Sequence, residues 1–544
     1  MLTTVYELIS NIPFIVKLLR GKLEKIEVFC HNPLPPLMIK RALLSVADKR
    51  GLLAFAQGLQ KLGVTMLATG GTEKMLKEAG IPVTSIESVT AFPEMFSGRV
   101  KTMHPKIMGG ILFRRDDPAH VKDAKKHGIE PIDLIVVNLY PFEETARDTT
   151  KTKPELIEQI DIGGPTLLRS AAKNHASVTV ICDPADYERV LQELEKNGDT
   201  SPALRAELAA KTFLRTAAYD SAITEVLSAG ANTGILLTNG KVLRYGENPH
   251  QTGKYFEPYE PVPTTNAQSH WRMHQGKELS YLNLLDADGA WNLVSEFGEP
   301  TAACIKHANP SGVASHANIE EAFQRAYDAD RLSAFGVIIA LNHNCTGTIA
   351  QKIIDQKIFT EVIIAPSFAE DALTILKQKP NIRLIEIFGN VLHGRQVRST
   401  LGGVLMQDFD THAVLPEDLV TVTEKKPTKE QIEDMLFAWK IVKHAKSNAI
   451  VFAKDKSSVG IGCGQTSRVD ATWIAGKRAG DRAKGAVMAS DAFFPFPDAV
   501  EEAVKYGITA IIQPGGSMRD QEVFAKANEL GIAMVTTGTR AFKH

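Results

Sequence analysis

Apolar and polar positions follow two alternating rhythms along most of this chain. An apolar run from Ala42 to Ala47 is followed by an amphipathic stretch, Gly51 to Leu62, and by a second apolar run, Val64 to Ala68, which together predict a βαβ opening. The alternation continues with a helix from Glu73 to Ala79, a strand from Leu134 to Leu139 and a helix from Thr166 to about Lys173. A strand from Val178 to Cys182 and two helical stretches up to about Ala229 complete it. Residues 39–236 therefore read as one doubly wound α/β domain, closed by the linker Gly230-Ala231-Asn232-Thr233-Gly234. Beyond it, Phe335 to Leu341, Glu361 to Ala365, Gly402 to Met406, Ala449 to Ala453, Ala486 to Met488 and Ala510 to Gln513 are strand candidates among helices. Residues 237–544 are expected to be α/β as well, in two subdomains, and no internal repeat stands out.

The first 38 residues follow a different pattern. Leu8 to Val16 is uncharged but bracketed by Glu7 and Lys17, too short to span a bilayer and without a basic start or cleavage site. The breaker cluster His31-Asn32-Pro33-Leu34-Pro35-Pro36 separates it from the first strand, so residues 1–38 are expected to be an appended segment, in one version an unused upstream start.

Composition narrows the function classes. At 544 residues the chain exceeds a single core. With 62 basic and 63 acidic residues it has no global field for nucleic acid or an anionic membrane, so any phosphate recognition must be local. Its five cysteines are scattered without a Cys-x-x-Cys, which argues against a zinc site or a disulfide framework and fits the cytoplasm. There is no Walker A stretch and no His-Glu-x-x-His. Gly460-Ile461-Gly462-Cys463-Gly464 lacks the spacing of a dinucleotide fingerprint, so neither nicotinamide, flavin nor a catalytic metal is expected.

Candidate chemistry concentrates at a few places. The apolar run Thr301 to Ile305 ends in Lys306-His307, and Asn309-Pro310-Ser311-Gly312 is expected to form a turn directly after it. Two proton-handling groups thus stand where a buried strand surfaces, although a lysine and a histidine that merely solvate the strand exit fit the same local pattern. Thr69-Gly70-Gly71-Thr72, between a strand and a helix, offers backbone N–H groups to an anion, or is an ordinary tight turn. The long cation-bearing loop from Phe92 to Lys106 has the length of a functional loop. Tyr140-Pro141-Phe142 lies at the carboxyl end of a strand, the edge where open α/β sheets bind ligands.

Taken together and in this order, Gly98 to Pro105, Asn138 to Phe142, Gln159 to Gly164, Ala171 to His175, Leu243 to Gln251, Lys306 to Pro310, Gly464 to Val469, Ser490 to Pro497 and Gln513 to Ser517 closely resemble the bifunctional AICAR formyltransferase/IMP cyclohydrolase family of purine biosynthesis. The resemblance runs from about Ile39 to His544. It implies a methylglyoxal-synthase-like doubly wound domain that closes the purine ring, followed by a duplicated cytidine-deaminase-like α/β region that takes a formyl group from 10-formyltetrahydrofolate. For ring closure it assigns Lys101, Tyr140, Asp161 and Lys173, the lysines binding the oxyanion and orienting Asp161 while Tyr140 relays a proton. Gly70, Gly71, Thr72 and Arg99 would hold the nucleotide phosphate or its surroundings. For formyl transfer it implies His307 as base, with Lys306 beside it favouring the neutral ring, and Asn448 as donor to the formyl oxygen. Arg244, Tyr245, Asn283, Arg468 and Arg540 match nucleotide-binding positions, and Phe493 and Asp498 lie near nucleotide and folate. The sequence departs from the family pattern at Met108, Leu282, Ser311 and Val337, none of them assigned to chemistry.

The resemblance also implies AICAR, FAICAR, IMP and reduced folate as ligands and a homodimer as the working form. Two other readings share these folds: an enzyme with only one working site, and a sensor that binds the purine intermediate without turnover. Retention of Lys306, His307, Asn448, Lys101 and Asp161 speaks against sensing, because binding alone needs no matched acid and base.

Overall fold

The computed structural model describes residues 39–96, 99–259, 270–388 and 395–544. The segment read as an appendage, residues 1–38, lies outside them. The described chain divides into two compact units, one running to Thr238 and including Pro258 and Tyr259, the other taking Asn239–Glu257 and the chain from residue 270 onward.

In the first unit, β1 (Arg41–Val46), β2 (Thr65–Ala68), β3 (Thr84–Ser85), β4 (Leu134–Asn138) and β5 (Thr179–Ile181) form a wholly parallel sheet in the order β3-β2-β1-β4-β5. Such a sheet needs cover on both faces, and Leu43, Leu44, Leu67, Ile135 and Val180 are accordingly buried. The strand order reverses between β1 and β4, so a crevice opens beyond their carboxyl ends. Asn138 closes the base of that crevice: its Oδ1 accepts the N–H groups of Ala47 (2.6 Å) and Asp48 (2.8 Å), and its Nδ2 donates to Asp48 O at 2.9 Å. Among the helices, α1 (Leu52–Lys61) and α2 (Gly70–Glu78) follow β1 and β2, and α3 (Gly163–Lys173) and α4 (Pro202–Leu227) flank the β4–β5 side. The helix expected from Glu73 starts at Gly70, so the two glycines belong to its first turn.

The second unit is built on one twelve-stranded sheet. β8 (Trp271–Gln275), β9 (Thr301–Lys306), β10 (Asn309–Ser315), β11 (Val337–Leu341), β12 (Thr360–Ala365) and β13 (Arg383–Ile387) form one half. The other half comprises β16 (Val420–Thr421), β17 (Ile450–Lys454), β18 (Ser457–Gly462), β19 (Val487–Ser490), β20 (Ala510–Gln513) and β21 (Ala533–Thr536). The order is β16-β21-β20-β19-β17-β18-β10-β9-β11-β12-β13-β8, with the halves joined by antiparallel β10 and β18. Each half repeats one plan: an antiparallel hairpin (β9–β10, β17–β18), three strands that run parallel to one another (β11–β13, β19–β21) and an antiparallel edge strand. The repeat includes the helices, with α5 (Tyr281–Val294) before β9 and α6 (Ile319–Ala329) after β10, matched by α7 (Lys429–Lys443) before β17 and α8 (Arg468–Ala479) after β18. This is the duplicated α/β region expected from the resemblance, although no repeat had been legible in the residues themselves. β6 (Leu237–Val242) pairs with β7 (Lys254–Pro258), and β14 (Arg395–Thr400) with β15 (Gly403–Asp408), in separate two-stranded ribbons.

Both faces of the twelve-stranded sheet are covered. Ala303 and Ile305 of β9 enter the cluster that α5 and α7 share, whereas Ala302 and Cys304 enter the cluster under α6. The turn after β9 differs from expectation. Asn309 pairs with Lys306, so Asn309-Pro310-Ser311-Gly312 already belongs to β10 and the two-residue turn is His307-Ala308. Gly312 is required there by contact: a Cβ would lie 2.0 Å from Ala326 O on α6, and at the corresponding Gly460 it would lie 2.1 Å from Ala475 O on α8. No described helix is long and apolar enough to cross a membrane.

Candidate active sites

The crevice of the first unit gathers cations at the start of α2. Its cap residue Thr69 is extended and makes no side-chain cap bond, leaving the Gly70 and Gly71 N–H groups for another partner. Gly70 adopts φ 48, which favours glycine. The Lys101 Nζ lies 3.6 Å from where a Cβ on Gly70 would stand, and the Lys49 Nζ lies 3.5 Å from the same point on Gly71. Bare glycines thus let two ammonium groups approach a helix N-terminus, an arrangement that suits a phosphate. Thr72 serves differently from expectation. Its buried hydroxyl accepts the Val46 N–H at 3.0 Å and donates to Val46 O at 3.2 Å, so the side chain ties α2 to β1.

Beside these cations stand Tyr140, at the end of β4, and Asp161, just before α3. Asp161 Oδ1 accepts the Gly164 N–H at 2.8 Å. The Asp161 N–H donates to the Tyr219 hydroxyl at 2.8 Å, and that hydroxyl donates to Gln159 O at 2.8 Å from a fully buried ring on α4. Burial pushes the Asp161 carboxyl above the ordinary carboxylate range, against the pull of the Gly164 and Tyr140 backbone, the Lys101 charge and the Gly163 backbone. Burial, then the charges of Asp161 and Glu94, raise the Tyr140 hydroxyl, which therefore keeps its proton at neutral pH. One phenol, one carboxyl with raised proton affinity and two ammonium groups thus share the crevice.

Two expected members stand elsewhere. Lys173 is the last residue of α3, whereas Asp161 precedes its first, so the helix axis separates them by roughly 15 Å. Lys173 instead lines an open hollow of about 750 Å³ with Leu112, Arg169, His175 and Phe213. Arg99 pairs with Glu158 at the surface.

In the second unit, the β9–β10 turn presents His307. His307 (φ 54) and Ala308 (φ 57) are both left-handed, the geometry that matches a hairpin's twist but costs non-glycine residues about 1–3 kcal/mol each. Neighbours hold the turn. Ala308 N–H donates to Asp286 Oδ1 at 2.7 Å, Asn309 Nδ2 donates to His307 O at 3.1 Å, and Lys306 Nζ donates to Phe335 O at 2.6 Å. Burial raises the Asp286 carboxyl, opposed by the Ala308 N–H and by the charges of His307 and Lys306. Asn309 also reaches the segment that carries Asn448, its Oδ1 accepting the Lys446 N–H at 3.0 Å. The His307 turn and the segment that carries Asn448 are therefore linked through one side chain.

Asn448 is oriented from both ends of its amide. Its Nδ2 donates to Gln465 O at 3.0 Å, and its Oδ1 accepts from Arg468 Nη2 at 2.8 Å. Arg468 Nη1 donates to Ser490 Oγ at 3.1 Å and to Asp491 Oδ1, whose other oxygen accepts from Ser447 Oγ at 2.5 Å. Arg468, expected to meet the nucleotide, is thus a buried guanidinium committed to a buried carboxylate and to Asn448, because a fully buried Asp491 requires a charged partner. Asn283 likewise does local work, its Oδ1 accepting the Ser280 N–H at 3.1 Å in the box that caps α5.

The remaining predicted residues of this unit are accessible. Arg244 lies over the Tyr245 ring at 5.2 Å, and Arg540 over Phe542 at 5.0 Å. Phe493 is partly exposed while its neighbour Phe494 is buried, and Asp498 opens a helix by accepting the Ala499 N–H at 2.8 Å. Sequence reasoning passed over Lys49, Asp286, Asn309 and Asp491. Asp286 carried a detectable signal: Asp434 stands the same 22 residues before its own hairpin turn.

Comparisons with known proteins point to one family. A family model described as the AICARFT/IMPCHase bienzyme matches residues 171–478, and one described as an MGS-like domain matches residues 51–166. The bifunctional purine biosynthesis protein PurH of Anoxybacillus flavithermus is 51% identical over 515 residues, 93% of this chain and 100% of that protein. PurH of Bacillus subtilis is 49% identical over 514 residues, again 93% and 100%. A solved structure titled "Crystal structure of ForH" is 36% identical and covers 36% of this chain and 99% of its own, with a TM-score of 0.31.

Proposed function

The chain belongs to the AICARFT/IMPCHase bienzyme family, and on that premise we propose how its two activities divide between the units and which side chains carry them. The enzyme is bifunctional in purine biosynthesis: an AICAR formyltransferase that uses a folate-type formyl donor, and an IMP cyclohydrolase. We assign ring closure to residues 39–236 and formyl transfer to residues 237–544, with 10-formyltetrahydrofolate as donor, a homodimer as the working form and the cytoplasm as its location.

In formyl transfer the amine of AICAR attacks the formyl carbon, loses a proton and leaves negative charge on the formyl oxygen. The adduct then collapses, the bond from the formyl carbon to the folate nitrogen breaks, and that nitrogen leaves with a proton. The AICAR amine is conjugated with its ring and weakly nucleophilic, so proton removal must accompany attack. His307 takes the proton, the free N–H of the Asn448 amide meets the oxyanion, and Lys306 supplies positive charge from its anchor on Phe335 O. Asn309, which joins the His307 turn to the Lys446–Asn448 segment, is the observation that supports this pairing most directly. Arg468 orients Asn448, while Arg244, Tyr245, Phe493, Asp498 and Arg540 contact nucleotide or folate.

In ring closure a carboxamide nitrogen attacks the formamide carbon of FAICAR and water leaves. Positioning and oxyanion stabilisation set the barrier. Asp161 takes the amide proton, Tyr140 returns one to the departing oxygen, and Lys101, Lys49 and the N–H groups of Gly70 and Gly71 hold negative charge. Lys173 is given no step within one chain, because α3 keeps it far from Asp161.

Purified enzyme would be supplied with AICAR and 10-formyltetrahydrofolate, and separately with FAICAR. Both reactions should proceed, and His307→Ala should lose transfer while retaining ring closure. Equal loss of both in that variant would refute the separate assignment.

A further inference from the structure

A hairpin turn with two left-handed non-glycine residues keeps its shape only where neighbours hold it. At His307-Ala308 the brace comes from α5, where Asp286 Oδ1 accepts the Ala308 N–H at 2.7 Å. The second half of the sheet repeats this device. Asp434, on α7, accepts the N–H groups of Asp455 (3.0 Å) and Lys456 (2.7 Å), both left-handed at φ 51. In each half the bond to the second turn residue spans 22 positions of sequence. A carboxylate brace on the hairpin turn is therefore part of the duplicated plan, and the halves differ in what the turn presents. The β17–β18 turn presents Asp455 and Lys456, and Lys456 forms an ion pair with Glu299 at 3.1 Å. The β9–β10 turn presents an exposed imidazole.

We infer that Asp286 is a positioning residue for formyl transfer: by holding the Ala308 N–H it fixes where the His307 ring meets the attacking amine. The geometry bears on His307 more than on its neighbours. Asn309 holds the carbonyl side of His307, and Asp286 holds the N–H of the next residue, so the peptide between them is fixed at both ends. Lys306 is anchored separately, on Phe335 O. Loss of the Asp286 bond lets the His307-Ala308 peptide rotate and moves the ring, while the strands on either side keep their register. The inference rests on the reading of His307 as the proton acceptor.

Four variants of the full chain test it, each assayed for transfer from 10-formyltetrahydrofolate to AICAR and for ring closure of FAICAR. Asp286→Ala should lower kcat for transfer roughly 30-fold or more, because displacement of a reacting group by about 1 Å has effects of this order. Its KM for AICAR should stay within about threefold, since the bond acts on the reacting group and not on ground-state binding. Asp286→Asn, whose amide oxygen accepts the same N–H, should recover most of that loss. Asp434→Ala, which removes the matching brace from the sibling turn, should transfer at the wild-type rate, and all variants should retain ring closure. His307→Ala separates the two levels of the argument. If it transfers normally, the assignment of the base fails and takes the inference with it. If it is inactive while Asp286→Ala matches wild type, only the positioning role falls. Equal losses in Asp286→Ala and Asp434→Ala would show an effect on the sheet in general and overturn that role, as would an Asn variant as slow as the Ala variant.

Discussion

Replacing Gly164 by alanine puts a methyl group where the carboxylate we assign to ring closure stands. The new Cβ would lie 2.2 Å from Asp161 Oδ2 and 2.8 Å from Asp161 Cγ, with Leu139 Cδ2 at 2.8 Å on its other side. Ordinary contact begins near 3.4 Å, so the carboxylate must retreat by about 1 Å. Leu139 is buried and has little room to move, which leaves Asp161 as the group that gives way. Retreat also weakens the Gly164 N–H bond to Asp161 Oδ1, a bond to a charged acceptor worth about 1.5–3 kcal/mol. Misplacement of this size should slow ring closure on the order of 100-fold. Overpacking should cost about 1–3 kcal/mol of stability in the first unit, a fall in its unfolding midpoint of roughly 2–12 °C. Gly163→Ala provides the graded comparison, since its Cβ meets only the Thr102 hydroxyl, at 3.2 Å, and should lose much less activity. The assay follows conversion of FAICAR to IMP, with formyl transfer by the same preparation reporting the integrity of the other unit. Ring closure at the wild-type rate in Gly164→Ala would refute the placement of Asp161 in the chemical step.

Three further variants probe the remaining contacts. Asp161→Asn keeps an acceptor for the Gly164 N–H but removes a carboxyl whose folded pKa burial has raised. Its ionisation opposes folding, so wild-type stability is greatest below the unfolded carboxylate pKa and declines as pH rises through the folded one. The variant should therefore unfold at higher denaturant than wild type at neutral pH, with the difference vanishing below about pH 4, while ring closure falls by roughly 100-fold or more. Arg468→Met strands Asp491 as an unpaired buried charge and should cost about 3–5 kcal/mol in denaturant melts of the second unit, together with transfer activity. Lys49→Ala should raise the KM for FAICAR by about tenfold with a smaller change in kcat, and an unchanged KM would remove Lys49 from the phosphate site.

What was legible in the sequence follows from what is local in the physics. Strands such as β1, β4, β11 and β20 are mostly apolar because both faces of their sheets are covered, and runs of that kind can be read directly. β13 and β8 were missed: Arg383 and Glu386 interrupt the first, and the second is a polar edge. Both charges on β13 are explained by partners far along the chain, Glu361 for Arg383 and Arg272 for Glu386. The roles of Arg468 and Thr72 were obscured for the same reason, since Asp491 and Val46 lie outside any local window. Asn283 was an exception. Ser280 three residues before it is a capping signature within reach of local reading, and a motif-based assignment to nucleotide hid it.

The turn at His307 shows why the duplication matters to function. A base on a two-residue turn is held by short bonds on both sides and is more rigid than one on a longer loop. The turn normally favours Asn-Gly, yet here it holds His and Ala, so the site accepts backbone strain in exchange for an exposed imidazole at the end of β9. Such strain persists only where the surroundings over-determine the shape, and the repeated hairpin already includes the brace that does so, Asp286 in one half and Asp434 in the other. The two halves differ in two places. The first presents His307 on its turn, and the second contributes Asn448 from the segment that enters its own hairpin, oriented by Arg468 from the following helix. Asn309 links the two through the Lys446 N–H. On the roles proposed for His307 and Asn448, a proton acceptor and an oxyanion donor assembled in this way need both copies of the repeat, so neither half alone should transfer the formyl group.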